Sequence, residues 1–465
     1  MAGWVGLKDL LIAEVKQRSD ETCLVDGFLE RIEASGDNQT ELMDIYAELC
    51  ALEPQQPNQD EPDELEEIRR LRPNGPRQLD KELTHEQWSD KFYGAWLGRA
   101  IGCALGKPLE WPNFMAGSHG RAGWENVHLW FKGADAYPIN GYTPGHSTAK
   151  DEYGIELASW GSASTRERIS YMETDDDIRY TVLGLIMLER KGLDWDSWDI
   201  GKLWHEVLSY NQVCTAETQS YLNFAQVTYH YGEQGKPADW KQKKEWVRTY
   251  LNPYREFIGA QIRADGFAYG AAGQPELAAD FAWRDASFSH VRNGIYGEMF
   301  VASMIAAAFL ESDPVKIVEI GLSEIPANCR LAHDIQQAVE IAQSTEDQLA
   351  LVEKIWDAFN HYDPVHTNNN AALVAASLVF AKGDFNKAIT TSVLGGWDTD
   401  CNGATVGSIM GASLGAKSLP SHWVEPLHDT LYSAVIGFHP IAISECARRS
   451  HEVYLKLKEQ QRTKN

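Results

Sequence analysis

Two short aspartate clusters carry the strongest chemical signal in the chain, Thr174-Asp175-Asp176-Asp177 and Asp398-Thr399-Asp400. Each stands just before a stretch patterned as a helix. Taken singly, each is adequately explained as a helix N-cap with acidic residues in the first turn, which the helix dipole favours. Three adjacent carboxylates exceed what a cap needs, however, and a dication among them would relieve their repulsion. In the second cluster, Gly395-Gly396 lets the backbone turn tightly and approach a ligand. The Asp-x-Asp spacing lets two carboxylates face one ion from an extended loop. Oxygen-only donors suit a hard cation such as Mg²⁺, Mn²⁺ or Ca²⁺ rather than zinc. The twelve-residue EF-hand pattern is absent.

These clusters need helices to position them, and the patterning from about residue 85 onward is mostly helical. Expected helices span 88–106, 178–191, 194–210, 297–310, 314–322, 327–342, 344–360, 367–381, 386–393 and 402–416. Strand-like alternation is scarce, so the main domain reads as all-α. Two of the helices share one device. Gly94, Gly98, Gly102 and Gly106 recur every fourth residue, as do Gly403, Gly407, Gly411 and Gly415. Four-residue spacing puts each set on one helix face. Glycine costs helix stability, so its repetition needs a reason, and close helix–helix approach supplies one. Both helices begin or end beside the candidate site residues.

Ahead of this domain, apolar residues recur at helical spacing over Leu7–Val15, Leu24–Ile32 and Leu42–Leu49. Prolines at 54, 57, 62, 73 and 76 then bracket an acidic block, Asp60–Glu67. The expected organisation is a helical extension over 1–52, an acidic proline-rich linker over 53–84 with one short helix at Leu65–Leu71, and a catalytic domain over 85–460. Nothing in the extension suggests chemistry, and docking or oligomer contact is its plainer role.

Composition narrows the function classes. Hydrophobic residues make up 43% and charged residues 23% of 465, the balance of a soluble globular protein. The formal net charge of -25 repels nucleic acid and anionic membranes, although one pocket can still be locally positive. The 7 cysteines are scattered, with no CxxC, as in a reducing compartment. No secretory leader is evident, and the apolar run 299–310 is too short to span a bilayer. A cytoplasmic protein that binds neither nucleic acid nor membrane is the expectation.

Taken together, the motifs resemble the ADP-ribosylglycohydrolase family. GAWLGRAIGCALGKPLE at Gly94–Glu110 is similar to its opening motif, Thr174-Asp175-Asp176-Asp177 to its TDD motif, and GGWDTDCNGATVGSIMGA at Gly395–Ala412 to its GGDTD motif. The resemblance runs from about 85 to 445 and leaves out the extension. It implies an orthogonal multi-helix bundle with two divalent cations, usually Mg²⁺, at the mouth of an ADP-ribose cleft. It implies Thr174, Asp175, Asp176, Asp398 and Asp400 as metal ligands. Glu110 falls on an acidic position that acts in catalysis or gating in some members, though without the family it reads as an ordinary helix-terminal glutamate. Two weaker matches add substrate contacts. His290, in Ser289–Gly294, resembles a pocket-lining histidine, and Gly259 and Arg263 resemble a stretch near the phosphates and ribose. Read alone, His290 is a packed core histidine, and Arg263 a structural partner of Asp265 or Asp280. Three positions depart from the pattern. Trp397 stands inside Gly-Gly-Asp, Cys401 replaces a hydroxyl ligand, and Cys103 replaces an aspartate.

The chemistry these residues suit is hydrolysis of a ribosyl N- or O-glycosidic bond in an ADP-ribosylated substrate. Glu110, Asp176 and Asp398 are the catalytic candidates. A free ribosylated metabolite, nucleoside or sugar conjugate would suit the same site. A chain that only binds ADP-ribose is a further alternative, because a fold does not establish an activity.

Overall fold

A computed structural model describes residues 2–55, 59–231 and 235–464; Pro57 of the expected linker lies outside them. The described residues form an all-α bundle, and their only strands are the paired dipeptides Thr430–Leu431 and Ile441–Ala442. Among them, no helix is long and apolar enough to cross a membrane.

The glycine pattern builds the centre. Helix α5, His85–Gly106, opens with a capping box from Thr84 and Gln87. It runs antiparallel to the Thr399–Leu414 helix, and nearly all residues facing between them are buried. The glycines meet in register: a methyl on Gly94, Gly98 or Gly102 would collide with the carbonyl of Gly411, Gly407 or Gly403. At the end of the seam Gly106 lies against Thr399, whose Oγ1 donates to the Gly106 carbonyl at 3.0 Å. This register brings the C-terminal end of α5, with Lys107 and Glu110 just beyond it, against the Asp398–Asp400 turn.

Helices span Pro314–Leu322 and Thr367–Ala381, as the sequence predicts. The span expected over 194–210 is shorter, Ser197–Val207, because Asp196 caps it and the chain turns extended at Leu208. The helix expected from 402 starts at Thr399, which draws Asp400 into its first turn.

The N-terminal helices α1 (Leu7–Asp20), α2 (Phe28–Ser35) and α3 (Gln39–Cys50) enclose their own small core, including Leu10, Leu11, Ile32, Leu42 and Leu49. Buried charges join this unit to the rest. Arg255 pairs with Glu14 at 2.8 Å and Glu21 at 2.7 Å, and Gln17 donates to Glu256 at 2.7 Å. The acidic stretch is tied down too. Glu61 and Asp63 accept from Arg330 (2.9 Å) and Arg248 (3.0 Å), and helix α4 forms over Leu65–Leu71.

Candidate active site

Both aspartate clusters sit at helix N-termini that converge on one cleft of about 550 Å³. The positive ends of the two helix dipoles therefore point at the same place. Lys107, Glu110, Thr174, Asp175, Asp176 and Asp398 all line the cleft.

The three acids of the first cluster divide by their partners. Asp177 is fully buried and belongs to the core, because Arg99 meets its Oδ1 at 2.6 Å. The same Arg99 also reaches Asp265 at 2.9 Å and the Ile262 carbonyl at 2.7 Å. Asp175 is the N-cap residue, accepting from the Asp177 N–H at 3.1 Å. Its Oδ2 lies 2.5 Å from the Lys107 ammonium. Burial pushes the Asp175 carboxyl up, but Lys107 and Arg179 overcome this and hold it well below the usual range. Thr174 Oγ1 accepts from Arg179 at 2.9 Å. Asp176 has no such cation bond. Burial and the neighbouring Asp175 push it up to about 7, with Asp400 adding to the rise.

The second cluster is different in kind. Asp398 occupies the N-cap position but makes no cap bond with its side chain. Its Oδ1 and that of Asp400 are buried and have no hydrogen-bond partner. Burial and Asp400 hold the Asp398 carboxyl well above its ordinary value, and burial with Asp175 pushes Asp400 up to about 6. Buried polar atoms are mostly paired; these two orphaned oxygens share one turn, with Asp398 lining the cleft, and are free to meet a cation. Oxygens of Asp175, Asp177 and Asp400 lie within 4.8 Å of one another, as do those of Asp398 and Asp400, a spacing from which one cation is reachable. Cys103 and Cys401 stand in these groups, but burial and the surrounding aspartates push both thiols well above their usual range. A protonated thiol is no ligand for a hard cation.

A match to the ADP-ribosylglycohydrolase family model spans residues 84–456, which contains every residue of this cleft named so far. The chain belongs to the ADP-ribosylglycohydrolase family. Among solved structures, one described as an "ADP-ribosylglycohydrolase-related protein complex" aligns at 17% identity over 79% of this chain and 98% of that chain, with a TM-score of 0.48. No significant match was found among curated proteins.

The departures from the family pattern have physical outcomes. Trp397 takes a left-handed backbone (φ +56°), and its buried indole stacks on Trp356 at 5.1 Å, so the extra bulk leaves the cleft. Gly396 makes the turn at φ +76°, where a side chain would run into Phe114 and Trp124 backbone.

Of the expected substrate contacts, Gly259 lines the cleft, and a methyl there would strike the Glu217 carboxylate. His290 does not line it. The ring is fully buried behind Glu217, 3.9 Å from its Oε1, with Ser289 Oγ on Nδ1 at 2.7 Å, and burial holds it neutral. Arg263 is also turned inward. It binds Asp285 and Glu217, each at 2.5 Å, between Trp204 and Tyr180, so neither a phosphate nor the expected Asp265 or Asp280 is its partner. Asp265 goes to Arg99, and Asp280 to Arg69 and Arg284.

Glu110 is half-buried at the rim, where Trp160 Nε1 donates to its Oε2 at 2.9 Å. Burial, Asp400 and Asp175 push its carboxyl well above the ordinary range. Sequence reasoning passed over Lys107, Arg179, Glu217 and Trp160. Lys107 had a signal: with Arg99 and Glu110 it is one of three charged residues in a motif otherwise built from small and apolar residues.

Proposed function

We propose that this chain hydrolyses a ribosyl glycosidic bond in an ADP-ribosylated substrate, with a divalent cation, most simply Mg²⁺, held by Asp398 and Asp400 with Asp176 facing them. The observation that carries the proposal is the pair of buried, unpartnered Oδ1 atoms on Asp398 and Asp400. A bound cation supplies positive charge that orients ribose hydroxyls and makes a nearby water more acidic. Everything else falls to the chain. Water adds at C1 of the ribosyl group, the bond from C1 to the departing nitrogen or oxygen breaks, and that atom takes up a proton. Glu110 would exchange that proton at Oε1, since Trp160 already occupies Oε2. The cleft carboxylates stabilise the positive charge that develops at C1.

The family resemblance implies two cations, with Thr174 and Asp175 among their ligands. Here Lys107 and Arg179 already bond those two residues. We therefore propose that the Lys107 ammonium stands in for the second positive charge, which leaves one cation per chain. Counting Mn²⁺ by calorimetry or metal analysis tests this: one ion in the parent chain and two in Lys107→Met. Two ions in the parent, or none, would refute the assignment.

A further inference from the structure

We infer that the N-terminal extension completes the substrate cleft, with Trp4 as an aromatic wall that stacks on the nucleobase of the substrate; this rests on the ADP-ribosyl reading above. The family match begins at residue 84, so the extension is an addition to the family domain. Yet Trp4 lines the same cleft as Asp175, Asp176 and Asp398.

Its backbone is fixed there. The Gly3 N–H donates to Gln219 Oε1 at 3.1 Å, and Tyr210 Oη donates to the Gly3 carbonyl. A side chain at Gly3 would strike Leu222. Gln219 and Leu222 belong to the Thr215–Tyr231 helix, whose first turn carries Thr215 and Glu217 into the cleft. Behind the strap, the buried pairs from Arg255 to Glu14 and Glu21 hold α1 in place. The indole itself remains 47% exposed although the chain beneath it is pinned. A large aromatic side chain held open at a cleft wall offers a stacking face at little entropic cost.

Two tryptophans line the cleft. Trp160 is already bonded to Glu110. Trp4 has no such role, and Phe257, Ile258 and Val365 add apolar surface to the lining. Ribose hydroxyls suit the first environment and a nucleobase the second, since every base has a face that stacks on an aromatic ring.

The test is calorimetric titration of the full chain with ADP-ribose and with ribose 5-phosphate, which lacks a base, in Mg²⁺. Trp4→Ala should weaken ADP-ribose binding roughly tenfold, the size of one base–aromatic stack. Ribose 5-phosphate binding should be unchanged, and Trp4→Phe should restore most of the loss. Equal ADP-ribose affinity in parent and Trp4→Ala would overturn the wall and leave the hydrolase reading standing. An equal loss for both ligands would overturn the nucleobase assignment. Absence of ADP-ribose binding by the parent chain would instead overturn the hydrolase reading, and the wall with it.

Discussion

Two of the buried clusters of acids among the described residues are treated in opposite ways. Where the extension docks, Glu14, Glu21, Glu61 and Glu256 are all buried, and each meets at least one arginine among Arg18, Arg255, Arg292 and Arg330. Burial pushes Glu21 up, but Arg255, Arg292 and Arg18 outweigh it and hold the group at about 2. In the cleft, Asp398 and Asp400 have no cationic side chain bonded to them, and Asp176 is held at about 7. Acids that serve the fold are neutralised by the fold. Acids that burial and one another push up, with no cation of the fold to offset it, await a charge from outside.

That contrast can be broken from either side. Asp398→Asn should cut turnover by on the order of 10³-fold or more, the several kcal/mol a metal contributes. It should also abolish Mn²⁺ binding and leave the thermal melting temperature unchanged or higher. Unchanged turnover and cation affinity would remove Asp398 from the site. In the docking cluster the effect should fall on stability. Arg255→Met takes an arginine from two buried glutamates, leaving Glu14 to Arg18 and Glu21 to Arg18 and Arg292, and should cost about 3 kcal/mol. Chemical denaturation measures it, and a loss within error would mean the pairs contribute nothing to docking.

The glycine seam sets how Lys107 and Glu110 meet the Asp398–Asp400 turn. Gly102→Ala pushes a methyl into the Gly403 carbonyl and should cost about 1–3 kcal/mol. Because the displaced helices carry Lys107, Glu110 and Asp398–Asp400, cation affinity should fall as well. A variant that loses stability but keeps its affinity would separate the seam from the site.

The effect of pH separates the clusters by sign. Asp176 (about 7) and Asp400 (about 6) take up protons as pH falls through those values. Cation binding must then expel protons, so affinity should drop by about tenfold per pH unit for each proton displaced. Glu21 moves the other way. Its folded value lies below the ordinary 4.5, so its contribution to stability is complete above 4.5 and is lost only as pH falls towards about 2. A titration from pH 8 to 5 should therefore weaken Mn²⁺ binding while this ion pair stays intact. Affinity that is flat over that range would contradict the raised values.

Much of this was legible in the residues. The four-residue glycine spacing announced a close helix pair, and the Gly-Gly-x-Asp-x-Asp stretch announced a turn with exposed carboxylates. What the sequence could not supply was who pairs with whom. Asp177 looks like a third ligand until Arg99, 78 positions away in the chain, is found on it. His290 and Arg263 match pocket residues by local pattern, yet long-range packing turns both inward onto Glu217. The extension looked inert because Trp4 acquires its place only when α1 docks through Arg255.

The most direct test is a chelator-controlled assay of ADP-ribosyl-arginine, ADP-ribosyl-serine, O-acetyl-ADP-ribose and simple ribosides, read by mass spectrometry. The account predicts release of intact ADP-ribose from at least one ADP-ribosylated substrate, abolished by EDTA and restored by Mg²⁺ or Mn²⁺. Turnover that persists in EDTA, cleavage at phosphate instead of at C1, or no turnover of any substrate would contradict it.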